Sequence, residues 1–123
     1  MKLVPPLLLL CAASAFGVVL LWRILRHLPR KPVLVGVHLL LGIAGMEATA
    51  LLMRGAPDGS STPSGSFGRL AGLMLIVALM SGLASPMIGR RWPGRAGNVA
   101  LGAHVGVAGV GFVLFVAWLI GAA

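Results

Sequence analysis

Apolar residues fall into four long runs along the chain, separated by polar segments, at about 3–22, 33–53, 70–88 and 98–120. A helix needs about 20 mostly apolar residues to cross the hydrocarbon core of a membrane. The short alternating segments typical of a membrane barrel do not occur in the sequence. The pattern therefore predicts an all-α fold, an integral membrane four-helix bundle, with residues 1–123 forming a single transmembrane domain.

Composition agrees with this pattern, since 59% of the residues are hydrophobic and only 10% are charged. A soluble domain has about 25% charged residues, so we expect no soluble domain beside the four runs. The first run continues to Leu25, which is too long for the apolar region of a signal peptide, so we expect a retained anchor. The single cysteine, Cys11, excludes an intramolecular disulfide.

The formal net charge of +8 would point to nucleic acid in a soluble protein. Here the basic residues lie almost entirely between the apolar runs, where membrane orientation and anionic lipid explain them without nucleic acid. The first and third loops hold Arg23, Arg26, Arg30, Lys31, Arg90, Arg91 and Arg95, whereas Lys2, Arg54 and Arg69 lie elsewhere. The positive-inside rule then predicts a multi-pass protein of a bacterial inner membrane with both termini outside.

The two halves of the sequence are alike, because each has an apolar helix, a basic loop and a Gly-rich helix containing one histidine. Aligned on His38 and His104, the second helices share the pattern G-x-H-x-x-x-(G/A)-x-x-G. The matched pairs are Gly36 with Gly102, Gly42 with Ala108, and Gly45 with Gly111. The fold is therefore expected to consist of two similar helical hairpins.

The two histidines are expected at the same depth on two parallel helices, roughly 8–9 Å below one membrane face at 1.5 Å rise per residue. Ionisable residues inside a bilayer are costly and usually face a bundle interior or a polar cavity. His38 and His104 are therefore candidate axial ligands of one haem b iron. Small residues on the same helix faces would leave space for the macrocycle; these are Gly42, Gly45, Ala108 and Gly111. Basic side chains would pair with its propionates; these are Arg30, Lys31, Arg90, Arg91 and Arg95.

This arrangement resembles the b-type cytochrome subunits of membrane respiratory complexes, in which histidines from two helices hold a haem near one face with glycines beside the ring. The resemblance covers the second and fourth segments. It implies axial ligation by His38 and His104, and electron transfer between quinone and a partner redox subunit. Many such cytochromes hold two haems, whereas this chain has one histidine pair inside the membrane. A partner, a quinone or a second copy would have to complete a path across about 30 Å of hydrocarbon.

Other interpretations stay open at this stage. Small-residue stripes also pack ordinary membrane helices, and a buried histidine can serve as a hydrogen-bonding side chain in a cofactor-free accessory subunit. Glu47 lies half a turn away from His38 on the helix, so it is a candidate subunit contact, quinone or proton site, or the acid of a small transporter. The stripe of Gly102, Gly106 and Gly109 opposite His104 predicts a homo-oligomer or a larger complex. The sequence shows no nucleophile–base pair and no carboxylate pair of the kind that would indicate an enzyme active on its own.

Overall fold

The computed structural model describes residues 4–55 and 63–122, and within them the chain is helical apart from two short connections. The helices are α1 (Val4–Leu25), α2 (Pro32–Gly55), α3 (Pro63–Arg91) and α4 (Arg95–Ala122). The all-α class is confirmed. All four helices are long and apolar enough to cross a membrane by length and composition.

The helices are longer than the apolar runs, most clearly for α3, which begins at Pro63 rather than near residue 70. The stretch 54–69 is rich in Gly, Ser and Pro, a composition that predicts a flexible linker, but residues 54–55 and 63–69 are helical. Proline is well tolerated in the first turn of a helix, because the missing N–H has no intrahelical partner there, and this explains the starts at Pro63 and Pro32. The rest of that linker, 56–62 with Asp58, lies outside the described residues, as does Lys2.

In the first hairpin, the C-terminal end of α1 is closed by hydrogen bonds. The Leu28 amide donates to the Arg23 carbonyl at 2.9 Å and the His27 amide donates to the Ile24 carbonyl at 3.0 Å. His27 has a φ of 53°, in the left-handed region that this type of helix end requires. The Arg23 guanidinium also donates to the Pro29 carbonyl at 2.8 Å, which fixes the loop against the end of α1.

The chain divides into two compact units, residues 1–54 and 55–123. In the first unit, the buried residues of α1 are Pro6, Leu10 and Ala13. A Cβ atom at Gly45 of α2 would lie 2.7 Å from Cδ2 of Leu10, so the helices approach closely where glycine removes the side chain. Lipid is as apolar as leucine, so such close van der Waals packing, rather than hydrophobic burial, holds membrane helices together.

The second unit is the α3–α4 hairpin, with buried side chains including Ala71, Leu75, Ala78, Phe115 and Trp118. Near the turn the two backbones meet, since a Cβ at Gly97 would lie 3.0 Å from Cα of Gly89. The turn itself uses Gly94 at a φ of 97°. The two units thus match the prediction of two helical hairpins, each with its own core.

Candidate functional site

His38 lies on α2 and its imidazole bonds to α1. Nδ1 of His38 is 2.8 Å from the carbonyl oxygen of Ala13. The ring occupies the space beside Gly17, where a Cβ atom would come within 3.0 Å of Cε1 of His38. Gly17 lies one helical turn after Ala13, so the absence of a side chain there opens the path to the carbonyl. The imidazole is half-buried between the two helices of its own hairpin.

His104 makes the same kind of hydrogen bond in the second hairpin. Its Nδ1 is 2.8 Å from the carbonyl oxygen of Ala78 on α3. A Cβ atom at Gly82 would lie 2.8 Å from Cε1 of His104 and 3.0 Å from its Nδ1. Glycine again follows the accepting alanine by one helical turn, so both hairpins place a histidine on an Ala-x-x-x-Gly segment.

The internal repeat therefore extends into the first helix of each hairpin, where the sequence comparison had matched no individual positions. Leu10, Ala13 and Gly17 correspond to Leu75, Ala78 and Gly82 at a constant offset of 65 residues. The signal was present in the sequence as "ASAFG" (13–17) and "ALMSG" (78–82). Alanine and glycine are common in membrane helices, so this spacing does not by itself indicate a histidine contact. The structure shows the contact by placing a histidine ring against each segment.

The hydrogen bond defines the tautomer of each imidazole. A carbonyl oxygen can only accept, so Nδ1 carries a proton in both histidines, and in the neutral imidazole Nε2 then carries the ring lone pair. A histidine that ligates a metal through one nitrogen almost always donates the other N–H to a carbonyl, carboxylate or water, which orients the ring and raises its basicity. The donor chemistry of His38 and His104 thus fits an axial ligand to haem iron.

The small residues predicted to leave space for a ring divide into two groups. Gly45 and Gly111 are buried against the neighbouring helix of their own hairpin, at Leu10 and at Met74 with Leu75. At these two positions the neighbouring helix of the same hairpin occupies the space beside the glycine. A Cβ at Gly42 would meet nothing within 4 Å, and Ala108 is half-buried.

The basic side chains expected at the rim are exposed in the connections and helix ends. Arg30 belongs to the first unit, whereas Arg90 and Arg91 end α3 in the second. The Arg91 guanidinium lies over the Trp92 ring at 5.4 Å from the centroid, and Arg26 lies over Trp22 at 5.8 Å. These cation–π contacts combine a charged head with an aromatic ring, as is common at membrane–water interfaces.

Glu47 is exposed on α2, within the apolar span Pro32–Arg54. Two residues further on, Thr49 is buried and its hydroxyl donates to the Gly45 carbonyl at 2.7 Å within the same helix. Glu47 therefore lies on an outer surface of the first hairpin, away from the side that packs on α1. Among residues 4–55 and 63–122, no three His, Cys, Asp or Glu side chains gather as a metal-binding group.

No protein-family model, curated protein or solved structure matches this chain. The structural class of the protein therefore follows from its helices. The described residues form four helices able to cross a membrane, and in each hairpin a histidine bonds to a carbonyl of the neighbouring helix. The chain is a multi-pass α-helical membrane protein. His38 and His104 are bonded each within its own unit.

Proposed function

We propose that this chain is a membrane-embedded haem b protein that carries electrons between quinone and a partner redox subunit, with His38 and His104 as axial ligands. One observation supports the proposal above the others: both histidines donate Nδ1–H to a backbone carbonyl at 2.8 Å. This bond holds the ring in one orientation and keeps the lone pair on Nε2, which is the arrangement of a metal-ligating imidazole.

A bound haem would supply reversible one-electron chemistry. The chain's own residues would hold and orient it: the imidazoles of His38 and His104 at the iron, and the exposed guanidinium groups of Arg30, Arg90 and Arg91 as partners for the propionates. Because the carbonyl bonds are made inside each hairpin, the ligands are oriented by helix packing before any cofactor binds. Such preorganisation reduces the entropy lost on binding.

The visible spectrum of the purified full-length protein tests this proposal. We expect a Soret band with the sharp α and β bands of six-coordinate b-type haem. Replacing either His38 or His104 by alanine should abolish or alter these bands. His27→Ala is the matched control, because His27 lies in the α1–α2 connection and not in a membrane span. A colourless protein after expression with added haem precursor, or bands unchanged in the His38→Ala/His104→Ala double variant, would refute the proposal.

A second candidate function is that of a cofactor-free accessory subunit of a larger membrane complex. The packing of Gly45 and Gly111 favours it, because these positions serve the hairpins themselves, and the histidines would then act only as hydrogen bonds between helices. This candidate predicts a colourless protein. It also predicts release from its complex when Gly102 or Gly106, where a Cβ would meet nothing within 4 Å, is replaced by leucine.

A third candidate, a small transporter, is supported by the exposed position of Glu47 inside a membrane span. An acid at such a position is expensive unless it meets a partner, a proton or a substrate. Glu47→Gln should then abolish a measurable flux in proteoliposomes, and an unchanged flux would exclude this candidate. If Glu47 is instead a quinone or proton site in the haem protein, Glu47→Gln should lower quinone-dependent electron transfer without changing the spectrum.

A further inference from the structure

The carbonyl oxygen of Ala78 is approached by more donors than it has lone pairs. In α3 it accepts the intrahelical N–H from the residue one turn further on. Nδ1 of His104 lies at 2.8 Å and the Ser81 hydroxyl at 3.0 Å from the same oxygen. A backbone carbonyl has two lone pairs, so three donors share them and each bond is weakened. The Ser81 hydroxyl also lies 3.4 Å from Nδ1 of His104.

The corresponding position in the first hairpin carries a different kind of side chain. Ser81 follows the accepting Ala78 by three residues, and the residue three after Ala13 is Phe16. Phenylalanine has no hydrogen-bonding group, so it cannot compete with the His38 imidazole for the Ala13 carbonyl. The two hairpins are therefore alike in the histidine, the alanine and the glycine, and differ at the position three residues after the accepting alanine.

We propose that Ser81 is a positioning residue that makes His104 a weaker electron-donating imidazole than His38 by competing for the Ala78 carbonyl. As a statement about axial ligands, this inference rests on the proposed function. A strong Nδ1–H bond gives the ring imidazolate character and raises the basicity of Nε2. Ser81 lowers that character at one ligand only, so the chain presents two inequivalent imidazoles from a nearly symmetric repeat.

The test is NMR of the full-length protein in detergent, without added haem and with ¹⁵N-labelled histidine. In Ser81→Ala we expect the Nδ1 proton of His104 to move downfield, because the carbonyl then serves one donor fewer. Ser81→Thr keeps the hydroxyl and should leave the resonance near its original position. Ser85→Ala is the matched control, since the Ser85 hydroxyl donates only along its own helix, to the Ser81 carbonyl at 2.7 Å. It should leave the His104 resonance in place.

The reciprocal variant, Phe16→Ser, introduces the competing hydroxyl into the first hairpin and should move the Nδ1 proton of His38 upfield. If Ser81→Ala leaves the His104 proton unmoved, or if Ser81→Thr moves it as far as alanine does, the inference is wrong. These measurements need no cofactor, so their failure is distinct from the absence of a haem spectrum. In haem-loaded protein, Ser81→Ala should lower the reduction potential, and an unchanged potential beside a moved proton would overturn the role in ligand tuning.

Discussion

Replacing Gly82 by alanine tests whether this glycine leaves the space that the His104 ring occupies in the second hairpin. The new methyl carbon would lie 2.8 Å from Cε1 and 3.0 Å from Nδ1 of His104. Carbon atoms in contact prefer about 3.5–4.0 Å, so the ring has to move by roughly 1 Å. The hydrogen bond to Ala78 starts at 2.8 Å, and such a shift takes it beyond the normal range of about 2.7–3.2 Å.

The expected free-energy change combines two opposing terms. Loss of a hydrogen bond between membrane helices costs about 0.6 kcal/mol on average and up to about 1.7 kcal/mol. Alanine is a better helix former than glycine by up to about 1 kcal/mol, which hides part of that loss. A control with the same helix term but no steric conflict is therefore required. Gly36→Ala provides it, because a Cβ at Gly36 would meet nothing within 4 Å.

The assay is reversible unfolding of both variants in the same detergent, followed by NMR of the histidine side chains. We expect Gly82→Ala to be less stable than Gly36→Ala by about 1 kcal/mol, the cost of the lost bond and the displaced ring. The Nδ1 proton of His104 should be lost from its hydrogen-bonded position only in Gly82→Ala. In a His104→Ala background, Gly82→Ala and Gly36→Ala should be equally stable, because the ring that the new methyl group meets is absent. Equal stabilities of the two single variants together with an intact Nδ1–H signal would refute the steric argument.

Substitutions at three further positions test the hairpins elsewhere. His27→Gly should stabilise the protein by about 1 kcal/mol because His27 has a φ of 53°, whereas His27→Val should destabilise it, both measured by unfolding in detergent. Gly97→Ala should destabilise by about 1–3 kcal/mol, since its Cβ would lie 3.0 Å from Cα of Gly89 and the backbone cannot move aside as a side chain can; a stability equal to that of the original protein would contradict the close approach. Gly68→Ala, whose Cβ would lie 2.8 Å from Nε1 of Trp118, should shift the tryptophan emission maximum, and an identical spectrum would show that the indole is not packed there.

The class of fold could be predicted from the sequence because a membrane leaves few alternatives. Inside lipid every backbone polar group has to be satisfied within the segment, so an apolar run of sufficient length is a helix. Helix ends were less accurate, as at Pro63 and Arg95, since polar residues continue a helix beyond the hydrocarbon. Hydropathy detects the membrane boundary rather than the last hydrogen bond of the helix.

The candidate site could be predicted only in part. The expectation of a matched depth for His38 and His104 comes from helix rise alone, and the opposite direction of Glu47 comes from the 3.6-residue turn of the helix. The contact between Gly45 and Leu10 could not be predicted in this way, because periodicity shows that Gly45 shares a face with His38 but not which helix covers that face. Only the packing of α2 on α1 places Leu10 there.

Local patterns along the chain were enough to predict four membrane-crossing helices, basic connections, and two similar halves with one histidine each. The atoms that those histidines contact depend on how the helices pack against one another. The bonds from His38 to Ala13 and from His104 to Ala78 join residues 25 and 26 positions apart. They depend on the rotation of each helix about its axis and on a glycine one turn beyond the accepting carbonyl. That rotation is set by side chains packing between helices, which no pattern along a single helix contains.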